Sequence, residues 1–196
     1  MKKTALLLLV ALVLGWAGCS SDSTVEVKNL RLEMKENPLG INVTQPRFSW
    51  QIASGKPDLK QTAYQIQVAA SPEQLESGDG LLWDSGVVRS DESVLVPYAG
   101  KALESGKPYY WRVKLTTNQG DTPWSDAGSW SMALLDDSEW KATWIGEDSL
   151  SNPGEEIGVA GGNNKTRLAA RYLRKEFTTD RAVERAVLYI SGLGSY

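Results

Sequence analysis

The stretch "PYYWRVKLTT" (108–117) alternates without a break: Tyr109, Trp111, Val113 and Leu115 fall on one side, Tyr110, Arg112 and Lys114 on the other. A period of two held over that length is a strand buried on one face, and it leaves no helical stripe. A sheet with one apolar face must bury it against another layer, so this segment already demands more strands. The sequence supplies them. "VEVKNLRLE" opens the series. "PRFSWQI" (46–52) places Phe48, Trp50 and Ile52 on one face, and "AYQIQVAAS" sets Tyr64, Ile66 and Val68 against Gln65 and Gln67. "LLWDSGVV" runs into an Asp-Ser-Gly turn, "SVLVPY" meets Pro97, and "GSWSMALL" closes the set. Turn residues recur every ~8–12 residues, which predicts an all-β, two-sheet sandwich with no helical period long enough to trust.

Two details narrow the sandwich. Leu103 precedes Tyr109 by six residues with "ESGKP" between them, and alternating core residues follow the tyrosine. This resembles the tyrosine corner of fibronectin type III domains, where the phenol bonds back to the backbone. Trp50 on the second strand matches that family's buried tryptophan, and "TNQGDTPWS" resembles its hairpin between the last two strands. Residues 25–137 are therefore expected to form a fibronectin III/Ig-like sandwich. Trp50, Tyr109 and Trp111 are expected in the core. Trp83 and Trp124 adjoin turns, where packing is the expected role and stacking on a sugar ring the alternative. Asp84 and Asp126 are read as turn residues rather than catalytic acids.

Composition removes whole classes of function. There is no His, so Ser-His and Cys-His nucleophile pairs and His-ligated metals are absent. One Cys permits neither an internal disulfide nor a cysteine zinc site. No acidic calcium-loop spacing occurs, and no metal or cofactor is expected. A net charge of -3 without a basic run argues against a nucleic-acid partner. Eight Trp and seven Tyr against two Phe suit a β-sandwich or a carbohydrate-facing protein without proving either.

"MKKTALLLLVALVLGWAGCSSDS" reads as a targeting segment to be kept out of the fold. Lys2 and Lys3 start it, and the apolar stretch from Ala5 to Trp16 is short of the roughly 20 residues a membrane span needs. Ala17 and Gly18 precede Cys19, which resembles the lipobox of bacterial lipoproteins, although Trp16 stands where Leu is usual. That resemblance implies cleavage before Cys19, acylation of its thiol and a membrane anchor. Residues 20–24 then form a polar tether, and Ser20 favours the outer membrane of a bacterial cell envelope over retention at the inner one.

"DDSEWKATWIGEDS" marks a boundary, and 138–196 is expected to begin a second, jelly-roll-like β-sandwich. A Gly-, Asn- and Ser-rich loop from Ser149 to Asn164 leads to strand-like patterns at 170–179 and 184–196. Two or three strands cannot close a sandwich, so the missing ones are expected beyond Tyr196 or in another chain. Glu155 and Glu156 are adjacent carboxylates in that loop. Glycoside hydrolysis wants its carboxyls about 5–5.5 Å or 6.5–9.5 Å apart across the bond. A loop pair has no means of holding that geometry, so both are read as solvated.

Taken together, the ordered segments resemble the bacterial α-L-rhamnosidases of glycoside hydrolase family 78. "LRLEMKENPLGINVTQPRFSWQI" resembles their opening. "QTAYQIQVAAS", "LWDSGVV", "YYWRVKLTTNQGDTPWS", "WKATWIG" and "ARYLRKEFTTDRAVERAVLYISGLGSY" continue in the same order. The resemblance covers residues 30–196. It implies an N-terminal accessory part of an inverting enzyme, with the catalytic acids on an α/α barrel further along and no catalytic residue here. The implied partners are the remainder of the enzyme, a rhamnose-containing glycan and a membrane. The alternative is a free-standing surface lipoprotein that binds glycan or protein through its β modules, its second domain completed by a partner strand.

Overall fold

The computed structural model describes residues 25–145 and 173–192. The chain divides into two compact units between Lys141 and Ala142.

In the first unit, β1 (Glu26–Leu32) and β2 (Arg47–Ala53) pair antiparallel, and β2 pairs β5 (Val96–Pro97). The facing sheet is built on β3 (Gln61–Ala69) and β6 (Pro108–Thr117), antiparallel from Gln61↔Thr117 to Ala69↔Tyr110. β4 (Trp83–Asp84) flanks β3. The other edge of β6 carries β7 (Gly120–Asp121) and β8 (Gly128–Ser131), which act as one interrupted strand. Between them Pro123 cannot donate to the ladder, and hydroxyls take over: the N–H groups of Leu115 and Val113 donate to Thr122 Oγ1 and Ser125 Oγ at 3.0 and 3.1 Å.

The period of two dictates which side chains meet. Phe48, Trp50, Ile66, Val68, Trp111, Val113, Leu115 and Trp130 are all buried between the sheets. Phe48 sits 4.6 Å from Trp111 and 5.9 Å from Trp130 between ring centroids. Trp50 is buried as expected, and its Nε1–H donates to Gln61 Oε1 at 3.0 Å, so the indole enters the core with its polar atom satisfied. The tyrosine corner forms. Tyr109 is buried against Trp130, and its phenol oxygen accepts the Glu104 N–H at 2.7 Å.

The "NPLGI" segment has a structural task. Ile41 bridges Met132 in parallel, the Ser131 N–H donates to the Pro38 carbonyl at 3.1 Å, and the Ser129 N–H donates to Asn37 Oδ1 at 2.8 Å. The segment thus covers the free edge of β8, which would otherwise offer unpaired backbone groups.

Two stretches depart from the run of strands. A helix, α1 (Pro72–Ser77), interrupts the strands. Its signals are local: Ser71 Oγ accepts the Gln74 N–H, Pro72 stands in the first turn, and Gly78 closes the helix at φ 78°. Only Leu75 is buried, so no apolar period announces it. In the second unit, the described residues 173–192 form neither strand nor helix, and Phe177, Leu188 and Ile190 are exposed. A strand exists only with a hydrogen-bonded neighbour, and no described residue of that unit supplies one. Cys19, the tether, Glu155, Glu156 and residues 193–196 lie outside the described residues.

Candidate functional site

Polar and aromatic groups converge on the outer face of the β3–β6 sheet. Register places Gln67 opposite Arg112 on one side and Asp84 on the other. The Arg112 guanidinium donates to Gln67 Oε1 through Nε and Nη2 at 3.0 and 2.8 Å. Gln67 Nε2 donates to Asp84 Oδ2 at 2.8 Å, and Gln65 Nε2 to Asp84 Oδ1 at 2.7 Å. Trp124 ends the row, with the guanidinium carbon of Arg112 4.5 Å from its ring centroid. Asp84–Gln67–Arg112–Trp124 therefore crosses four successive chain segments at right angles to the strands.

Partners govern the electrostatics of this row. Desolvation pushes the Asp84 carboxyl up. The Gln67 and Gln65 amides, the Gly86 N–H and the Arg112 charge outweigh it and hold the carboxyl below its ordinary value. Desolvation pulls Arg112 down from its ordinary value, against the raising fields of Glu76 and Asp84. Both Asp84 oxygens and both Gln67 amide groups are already engaged within the row, which makes it a brace rather than a reactive centre.

Retaining and inverting glycosidases need one carboxyl held protonated, with its pKa raised. Among the described residues, the carboxyls with a clear shift are Glu33, Glu73, Asp84, Asp136 and Glu139, and all five move down. The groove beside the row, lined by Tyr64, Gln65, Val87, Lys114, Thr116 and Asp121, has a volume of about 40 Å³. Ligand pockets run to roughly 300–1,000 Å³.

Trp83 and Trp124, for which packing is the expected role and sugar stacking the alternative, do not share a face. Trp83 turns inward, 6.0 Å from Phe48 and 5.3 Å from Tyr98 between centroids. Trp124 lies on the outer face, one side of its ring occupied by Arg112. They form no common platform. Asp84 is the last residue of β4 rather than part of the turn; its Oδ1 accepts the Gly86 N–H of the following turn at 2.8 Å, and it also anchors the row. The row itself was missed in the sequence because Gln65, Gln67, Arg112 and Lys114 read there as an undifferentiated polar face.

Residues 27–136 match the family described as "Rha78A-like, N-terminal immunoglobulin domain". The chain is 38% identical over 182 residues to an α-L-rhamnosidase of Formosa agariphila, a stretch covering 91% of this chain and 19% of that protein. It is 41% identical over 124 residues to an α-L-rhamnosidase of Streptomyces avermitilis, covering 63% and 12%. The crystal structure of the Streptomyces avermitilis α-L-rhamnosidase complexed with L-rhamnose superposes with a TM-score of 0.59 at 40% identity, over 63% of this chain and 12% of that one. The α-L-rhamnosidase of Dictyoglomus thermophilum gives 0.60 at 35%, over 63% and 14%. The chain spans about a fifth or less of the length of the curated relatives it matches. With more than half of its residues forming the matching sandwich, this chain belongs to the Rha78A-like family defined by that N-terminal immunoglobulin domain.

Proposed function

We propose that this chain is the N-terminal, non-catalytic part of an α-L-rhamnosidase anchored to a bacterial cell envelope through a lipid on Cys19. One observation carries the enzymatic reading. The similarity to a Formosa agariphila α-L-rhamnosidase continues well past the immunoglobulin-like domain, over 182 residues that make up 19% of that protein. The sandwich then serves as a mount. Hydrolysis of terminal α-L-rhamnose from a glycan, with inversion, falls to the remaining polypeptide, for which the family resemblance implies an α/α barrel. The anchor rests on sequence: a basic start, a short apolar stretch and Ala17-Gly18-Cys19.

The test is an immunoblot of native membrane fractions with an antibody raised against residues 25–137. A band about five-fold larger than the 21.5 kDa of this chain is expected, given the 19% coverage of the relatives. That form should hydrolyse an aryl α-L-rhamnoside, and this chain alone should not. A band near 21.5 kDa would overturn the reading in favour of a free-standing lipoprotein. Cys19→Ser should release the protein from the membrane pellet; retention there would refute the lipid anchor.

A further inference from the structure

The chain leaves the sandwich through a knot of hydrogen bonds that strand pairing does not require. A single carboxylate oxygen, Glu139 Oε2, accepts from three donors: the Ser105 hydroxyl at 2.5 Å, the Leu135 N–H at 3.0 Å and the Asp136 N–H at 3.1 Å. The Leu135 N–H is shared with Ser105 Oγ, also at 3.0 Å. Asp136 Oδ1 accepts the Ser138 N–H at 2.8 Å and completes a capping box on the short 3-10 turn Asp137–Glu139.

Ser105 stands in the loop of the tyrosine corner. That loop is fastened to the core by Tyr109, whose phenol oxygen accepts the neighbouring Glu104 N–H. It is fastened to the departing strand as well: the Gly106 N–H donates to the Ala133 carbonyl at 3.1 Å, and the Met132 N–H to the Lys107 carbonyl at 3.0 Å. Leu135 packs against the core cluster. The Trp140 N–H then donates to the Asp137 carbonyl at 3.2 Å. The first unit ends one residue later, at Lys141.

A freely jointed connection between units would be polar and backbone-solvated, without such ties. From these contacts we infer that Ser105 and Glu139 form an exit latch. It clamps the departing chain to the tyrosine corner and fixes its direction as far as Trp140. The sandwich is thereby a rigid mount, with chain flexibility excluded from 133–140. Glu139 is the positioning residue, and Ser105 its partner on the core side. The inference concerns this unit alone and does not depend on a rhamnosidase activity.

Amide hydrogen exchange on the full chain, with limited tryptic cleavage after Lys141, tests it in the wild type and in Glu139→Ala and Ser105→Ala. Both latch variants should exchange the Leu135, Asp136 and Trp140 amides at least about ten-fold faster and cut faster at Lys141. The β6 amides of Trp111, Val113 and Leu115 should stay as protected as in the wild type. Glu139→Gln, whose amide oxygen can still accept, should fall between. Unchanged exchange at 135–140 in Glu139→Ala would overturn the latch. So would equal acceleration in β6, because it would mean a general loss of stability.

Discussion

Glu33 and Met34 make a two-residue turn with φ of 48° and 63°, a backbone region that glycine or asparagine usually fills in such hairpins. Each non-glycine residue there costs ~1 kcal/mol or more. Glu33 remains because its carboxylate takes three bonds from one residue: Arg47 Nε at 3.0 Å, Arg47 Nη2 at 2.6 Å and the Arg47 N–H at 2.8 Å. The Arg47 side-chain bond is the main cause that holds the Glu33 carboxyl below 4.5, against an opposing push from burial. A folded pKa below the unfolded one adds stability above the unfolded value, and that stability is lost as pH falls through the folded value. The melting-temperature gap between wild type and Glu33→Gln should thus be full at pH 7 and narrow as pH falls below the ordinary glutamate value. A gap that does not shrink on acidification below the ordinary carboxylate range would refute the clamp. Tyr98 works at the other end of the scale. Burial first, then neighbouring Tyr109, pushes its phenol from 10.0 up to about 12, while its hydroxyl donates to the Lys101 carbonyl at 2.7 Å. Here the folded form keeps its proton longer, so stability is present below pH 10 and falls between pH 10 and 12. Tyr98→Phe should flatten that alkaline limb and remove the latest tyrosine from a spectrophotometric titration. An unchanged limb would assign the effect to another group.

At the scale of elements, the end of β4 and the strand-end loop after β5 meet at one point. A Cβ on Gly100 would lie 2.5 Å from Trp83 Cβ and 2.5 Å from the Tyr98 phenol oxygen. Trp83 in turn stacks on Phe48 of the opposite sheet, so the glycine permits an inter-sheet contact. Gly100→Ala should lower stability by ~1–3 kcal/mol through overpacking, measured by urea unfolding. A change within about 0.5 kcal/mol would mean the loop yields freely. This element also shows why Trp83 and Trp124 could not be told apart in sequence. Both adjoin turns, and which face each takes depends on the partners of β4 and β6, not on any local pattern. The strands themselves were legible, β6 in full, because alternation records burial directly. The short strands are irregular rather than absent: "LLWDSGVV" pairs β3 at Trp83–Asp84 and again through the Tyr64–Val88 bridge, and "SVLVPY" pairs β2 at Val96–Pro97, with the Trp50 N–H donating to the Ser93 carbonyl at 3.0 Å.

For the molecule as a whole, the division at Lys141 separates a unit with its own closed core from one in which the described residues form no ladder. Residues 25–141 should therefore unfold alone as one cooperative transition. Its heat-capacity change should be about 1.5 kcal/mol/K, and its midpoint should match that of the same transition in the full chain. Scanning calorimetry checks this. A broad transition, or a midpoint more than about 5 °C lower in the piece, would show that the core needs the rest of the chain.

The sequence by itself determined the all-β character, the two-sheet core around Phe48, Trp50, Tyr109 and Trp111, and the tyrosine corner. Each of these follows from burial period or from a short-range spacing. Only the tertiary structure decided that Asn37–Ile41 covers the β8 edge, that Asp84, Gln67, Arg112 and Trp124 join in one row, and that Ser105 meets Glu139. Those contacts span between 12 and 93 positions of chain, and no local pattern encodes which polar residue will face which across a sheet.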